Sequence, residues 1–166
     1  HLDIRLCDPS YRVFYADGAR LDGTPNTARM VAQIEALAGA SDANAYPRLL
    51  GELAALYRDA IPHFVRKQFR SPLELLKPNA LRLVARHGML SNLARRIEAT
   101  VEDPRLRMLF SFQTMYLGLS PYDAPWVYAV LTYMEYGEGI WYPMGGMTRI
   151  PQSVAELAIR RGAEIR

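Results

Sequence analysis

Apolar positions change their period along the chain. Near the start they alternate with polar neighbours, at Ile4 and Leu6 and again at Tyr11, Val13 and Tyr15. Alternation of this kind marks half-buried strands, so two are predicted on either side of Asp8-Pro9-Ser10. Asp17-Gly18 tolerates the positive φ of a tight turn and joins the Tyr11–Ala16 run to Ala19–Leu21 as a β-hairpin. From residue 25 the spacing becomes helical. Pro25-Asn26-Thr27 opens a helix whose Met30, Ile34 and Leu37 share one face. Residues 39–44 break it. A second helix over 45–60 takes Pro47 in its first turn and aligns Tyr46, Leu49, Leu53, Leu56 and Tyr57; Pro62 ends it. Ser71-Pro72-Leu73-Glu74 has the form of a capping box with proline at the first helical position. Residues 79–101 read as helical with a break at Gly88. Asp103-Pro104 starts a further helix that runs through Leu106, Leu109, Phe110 and Leu117 to Gly118. After a loop at 120–125, a helix with Pro125 in its first turn continues from Trp126 to about Glu135.

The last stretch changes period twice more. Ile140, Trp141 and Tyr142 have strand character, and Pro143 stops them because it cannot donate to a ladder. Gly145-Gly146 follows, where the lack of Cβ atoms lets another backbone or a flat ligand approach closely. From Met147 the positions Ile150, Val154, Leu157 and Ala158 are helical. Arg160, Arg161 and Gly162 end that helix, with cations in the last turn and glycine at the cap. Ala163–Arg166 reads as the opening of another strand, giving a βαβ-like order. The predicted class is α+β: a mostly helical domain with a small antiparallel sheet.

The chain has 166 residues, half of them apolar, which suffices for a real core and makes disorder untenable. No uninterrupted apolar run reaches the roughly 18 residues of a spanning helix. Cys7 is the single cysteine, so neither an internal disulfide nor a cysteine-based zinc site is available. The net charge of +3 is mild, but the basic residues cluster at Arg66, Lys67 and Arg70, at Arg82, Arg86 and His87, at Arg95 and Arg96, and at Arg105 and Arg107. These are either solvated helix faces or a surface for an anionic membrane. They are too dispersed, and too far from any reading motif, to indicate nucleic acid.

Candidate chemistry is sparse. Glu135 and Glu138 flank a loop and are expected to be solvated. His63 and His87 are not spaced as metal ligands with any Asp or Cys, and no nucleophile elbow is present. No catalytic residue is assigned. The aromatic-rich stretch from Leu109 to Tyr142 is either core or a wall for a long apolar ligand.

Three phrases together carry a resemblance: Tyr11-Arg-Val-Phe-Tyr-Ala-Asp-Gly18; Phe110-Ser-Phe-Gln-Thr-Met-Tyr-Leu-Gly118 followed by Ser120-Pro121-Tyr122 and Ala124-Pro125; and Trp141-Tyr-Pro-Met-Gly-Gly-Met147. In order and spacing the chain resembles the carotenoid (phytoene) desaturases among the FAD-dependent amine-oxidase-like oxidoreductases. The resemblance implies a substrate-binding domain at residues 1–142 and a return segment toward the flavin domain at 143–166. It implies that Gly145, Gly146 and Met147 face FAD, and that Phe112, Met115, Tyr116, Trp126, Tyr133, Trp141 and Tyr142 line a long apolar polyene. The family's G-x-G-x-x-G, with an acidic residue about 20 positions on, is absent. The chain is therefore read as an internal fragment that lacks the Rossmann-type FAD-binding segment and is inactive alone. The expected setting is cytoplasmic and peripheral to a membrane. A homodimer through strand edges at Leu2–Leu21 or Ala163–Arg166 is also expected. The rival reading is a non-catalytic module that binds an apolar ligand or docks on a membrane.

Overall fold

The computed structural model describes residues 2–165. Two short antiparallel pairs replace the single small sheet of the sequence reading. Strand β2 (Tyr11–Phe14) forms a hairpin with β3 (Arg20–Gly23), Tyr11 lying opposite Gly23 and Phe14 opposite Arg20. Gly18 supplies the turn at φ +84°. Strand β1 (Ile4–Cys7) pairs instead with β4 (Ile140–Pro143), Ile4 opposite Pro143 and Leu6 opposite Trp141. This long-range pairing brings residues 4–7 against residues 140–143.

The body is built on α1 (Thr27–Ala38) and α2 (Ala40–Ala60). Asn26 caps α1 by accepting from the Arg29 N–H at 3.0 Å. The break before α2 is narrower than residues 39–44: Gly39 alone interrupts, and Pro47 lies inside the helix, past its first turn. Tertiary bonding accounts for the difference. The buried Asp42 carboxylate accepts from the backbone N–H groups of Glu102 and Asp103 at 2.7 and 2.8 Å, which fixes the early turns of α2. Met30, Ile34, Tyr46, Leu49, Leu53 and Leu56 form the centre of the core, as their spacing predicts.

Helix α3 (Pro78–His87) ends at Gly88, in the left-handed region at φ +57°, and α4 (Leu93–Glu98) adds Leu93 and Ile97 to the core. Helix α5 (Pro104–Ser111) is capped by Asp103 and tightens into a 3-10 turn over Phe112–Leu117. The helix predicted from Trp126 forms, but irregularly: a 3-10 turn at Trp126–Ala129, α6 (Val130–Tyr133), then a wide turn at Met134–Glu138. Helix α7 (Arg149–Arg160) follows the glycine pair.

Residues 163–165 form no strand, so the βαβ-like unit is not closed; Arg166 lies outside the described residues. The chain there turns back on the helix, Gly162 N–H reaching Ile159 O and Ala163 N–H reaching Ala158 O.

Candidate functional site

Two groups of side chains matter for chemistry. The first surrounds Glu135. Expected at the surface, this glutamate is buried, because the helical spacing of Ala129, Thr132, Glu135 and Tyr136 puts all four on the core face. Its carboxylate accepts from Gln113 Nε2 at 2.8 Å, from the Tyr116 hydroxyl at 2.7 Å and from the Tyr11 hydroxyl at 3.3 Å. Tyr11 shares a further hydrogen bond with the buried Tyr136 hydroxyl. Thr132 Oγ1 closes the set, donating to Phe110 O at 3.1 Å and lying 3.2 Å from Gln113 Oε1.

Each partner has a local reason for its place. Tyr11 can reach inward because its strand partner is Gly23, where a Cβ would stand 3.0 Å from the Tyr11 ring. Gln113 and Tyr116 are three residues apart on the 3-10 turn and so lie on one side of it. Burial raises the Tyr116 phenol to about 12, its bond to Glu135 adding to the effect. Burial likewise holds Tyr11 and Tyr136 well above the ordinary phenol value. All three phenols therefore stay protonated donors around a carboxylate whose named partners are neutral. Such a set holds one geometry; its oxygens are already engaged.

The second group is the outer aromatic and glycine surface. Trp141 and Tyr142 on β4 are exposed, and Trp141 Nε1 donates to Glu138 O at 3.1 Å. The turn beyond them has Gly145 at φ +88° and Gly146 at φ +96°. A Cβ on Gly146 would meet nothing closer than Thr148 Oγ1 at 3.9 Å and the Tyr142 hydroxyl at 4.0 Å, so one face of the turn is open. Met147 beside it is exposed. The open, Cβ-free turn fits approach by a flat ring such as an isoalloxazine. The 166 residues contain no dinucleotide fingerprint to seat the rest of FAD.

The residues singled out in the sequence are thus divided. Phe112 and Tyr116 meet edge to face at 6.0 Å, and Phe112 meets Tyr11 at 5.7 Å, so both join the Glu135 group. Met115 is exposed beside them. Tyr142 is next to Gly146. Tyr133 turns elsewhere, its ring 5.0 Å from that of Tyr57. Trp126 is a correction: only 1% exposed, it lies in the core with the Arg96 guanidinium 4.2 Å over its ring, and it lines no open surface. Tyr11, Gln113 and Glu135 went unassigned in the sequence; the one available signal was the core-facing spacing of Glu135.

The match to the family described as flavin containing amine oxidoreductase spans residues 1–166. The chain belongs to this family. Within it the chain is phytoene desaturase-like. It is 42% identical over 163 residues to a phytoene dehydrogenase of Streptomyces griseus, covering 98% of this chain and 32% of that protein. It is 33% identical to a phytoene desaturase of Neurospora crassa, over 99% of this chain and 28% of the relative. A zeta-carotene-forming phytoene desaturase of Myxococcus xanthus is also 33% identical, over 98% and 31%. The chain spans about a third of the length of these curated relatives. Among the described residues no helix is long and apolar enough to cross a membrane.

Proposed function

We propose that this chain is the polyene-binding part of an FAD-dependent desaturase acting on phytoene or a closely related carotenoid. Residues 1–142 would hold the substrate, and residues 143–166 would lead back to the flavin domain. The observation that carries the reading is an apolar surface left over once the core is complete. Met115, Tyr116, Trp141, Tyr142 and Met147 are all 45% or more exposed, and none of them belongs to the buried core. Large apolar side chains left bare in this number suit a binding surface, and aromatic faces suit a long conjugated chain.

When bound, FAD would supply the two-electron acceptor for the two hydrogens lost from adjacent carbons, a hydride equivalent and a proton, as their C–C single bond becomes a double bond. Gly145, Gly146 and Met147 would let its ring approach the backbone. Trp141, Tyr142, Met115 and Tyr116 would hold the polyene straight and exclude water. Glu135 would keep the Tyr116 turn fixed against β2, so that this wall does not shift.

Kinetics of the enzyme at the relatives' length, with phytoene supplied in vesicles, test the reading. Trp141→Ser combined with Met115→Ser is expected to raise KM about tenfold or more, in keeping with the loss of two large apolar contacts, while flavin content is unchanged. Gly146→Val is expected to do the reverse, lowering flavin content. Unchanged kinetics in the first variant would remove the substrate assignment; unchanged flavin content in the second would remove the cofactor one.

A further inference from the structure

Asp42 and Glu135 are the buried acids among the described residues. Asp42 holds its charge against the backbone N–H groups of Glu102 and Asp103, beside the N-terminus of α5, where the helix dipole favours an anion. Glu135 has no such counterpart. Its partners are an amide and two phenols, all neutral. It takes part in none of the ion pairs among the described residues. One of the phenols leads outward: Tyr116 donates to Glu135 Oε1 at 2.7 Å while 61% exposed, beside Met115 at 68%. A negative charge thus lies one ring behind the aromatic wall, where burial spares it most of the screening by salt and water.

A neutral hydrocarbon gives this charge nothing to attract, but the reaction proposed above does. No group on the wall is basic enough to take a proton from a neutral hydrocarbon, since the phenols stay protonated and the Glu135 oxygens are engaged. The hydride therefore leaves first. It departs with the C–H bonding pair to the two-electron acceptor, and the carbon it leaves shares one positive charge with the double bonds conjugated to it. The adjacent carbon then gives up a proton to solvent, and the pair of that C–H bond becomes the new double bond.

We propose that Glu135 is the electrostatic stabiliser of that cation, acting through Tyr116 on a polyene laid over the wall. The proposal rests on the desaturase reading. Glu135 touches no substrate. It makes the wall complementary to the charged state and indifferent to the neutral one, so it lowers the barrier without tightening substrate binding. Opposite unit charges a ring's width apart, at an effective dielectric of about 20, favour the cation about tenfold or more.

Two fluorescent polyenes test it on the 166-residue protein without flavin: diphenylhexatriene, which is neutral, and its trimethylammonium derivative. Each brightens on leaving water, and the readout is the ratio of their affinities. Both are expected to bind, and Trp141→Ser/Met115→Ser to weaken both. Glu135→Gln is expected to reduce the cation's advantage about tenfold or more. Tyr116→Phe removes a bond but leaves the charge, and Glu138→Gln removes an exposed, screened charge; each is expected to keep the ratio within about twofold. In the flavin-loaded enzyme at the relatives' length, Glu135→Gln is expected to lower kcat about tenfold or more at unchanged KM. An unchanged ratio in Glu135→Gln, or a ratio that falls as far in Tyr116→Phe or Glu138→Gln, would overturn the inference while leaving the wall in place. Failure of the parent to bind the neutral probe, or binding undiminished in Trp141→Ser/Met115→Ser, would refute the polyene wall itself and the inference with it.

Discussion

Glu135→Gln isolates what the buried carboxylate contributes. The substitution keeps volume and one acceptor oxygen but removes the charge. The amide oxygen would turn to Gln113, whose buried Nε2 lies 2.8 Å away. The new NH2 would then face the Tyr116 hydroxyl, which can reverse and accept because that side chain is 61% exposed. No buried group is stranded. The loss is the difference between charge-assisted and neutral hydrogen bonds, about 1 kcal/mol for each of two short bonds. The Tyr11 contact at 3.3 Å adds little. A net loss of about 2 kcal/mol should lower Tm by about 4–8 °C for a chain of this size. Urea denaturation of Glu135→Gln, Gln113→Leu and the double variant measures it, with an expected coupling of about 1 kcal/mol between the two positions. Tyr116→Phe removes only one of these two bonds and should cost about 1 kcal/mol, less than Glu135→Gln. A Glu135→Gln variant as stable as the parent, or a Tyr116→Phe change larger than it, would refute the account of Glu135 as the fixing point.

Gly139→Ala should be severe. Its φ is +77° and the new Cβ would stand 2.6 Å from Leu6 Cδ1 and 3.1 Å from Pro25 Cγ, so left-handed strain and overpacking together should cost about 2–4 kcal/mol, read by urea denaturation; a loss under about 1 kcal/mol would contradict the packing. Acid stability should depend on Asp103, whose carboxyl is held below its ordinary value chiefly by hydrogen bonds from the Arg105 guanidinium. A depressed folded value means this contribution is present above the unfolded value of 3.8 and lost as pH falls through the lower folded one. Asp103→Asn should therefore flatten the stability–pH curve below pH 3.8 by up to one proton, about 1.4 kcal/mol per pH unit, and an unchanged slope would reject the pairing.

The parts of the fold written in local chemistry were legible. Asn26, Ser71 and Asp103 cap helices where their side chains and the following prolines or apolar runs said they would. What was illegible depended on contacts distant in sequence. Pro47 has the form of a helix start, but the bonds of Asp42 to residues 102 and 103, some sixty positions away, carry the helix back to Ala40. Strand β1 gave no sign that its partner was β4. A charged residue beside glycines suggests solvent, but the helical face that Glu135 shares with Thr132 and Tyr136 decides its burial. The aromatic run divides the same way: Trp126, 1% exposed beneath the Arg96 guanidinium, supplies core, and Trp141, 56% exposed, supplies surface.

The β1–β4 pairing also governs how the molecule responds to load. Ile4 stands opposite Pro143 and Cys7 opposite Ile140, so residues 8–139 hang as one closed body from a two-strand stem. Tension on the outer ends of the two strands, at residues 4 and 143, falls on a single rung of the ladder at a time, and the stem unzips before any helix is strained. Stiffness resides in the helical core, and compliance in four facing residue pairs.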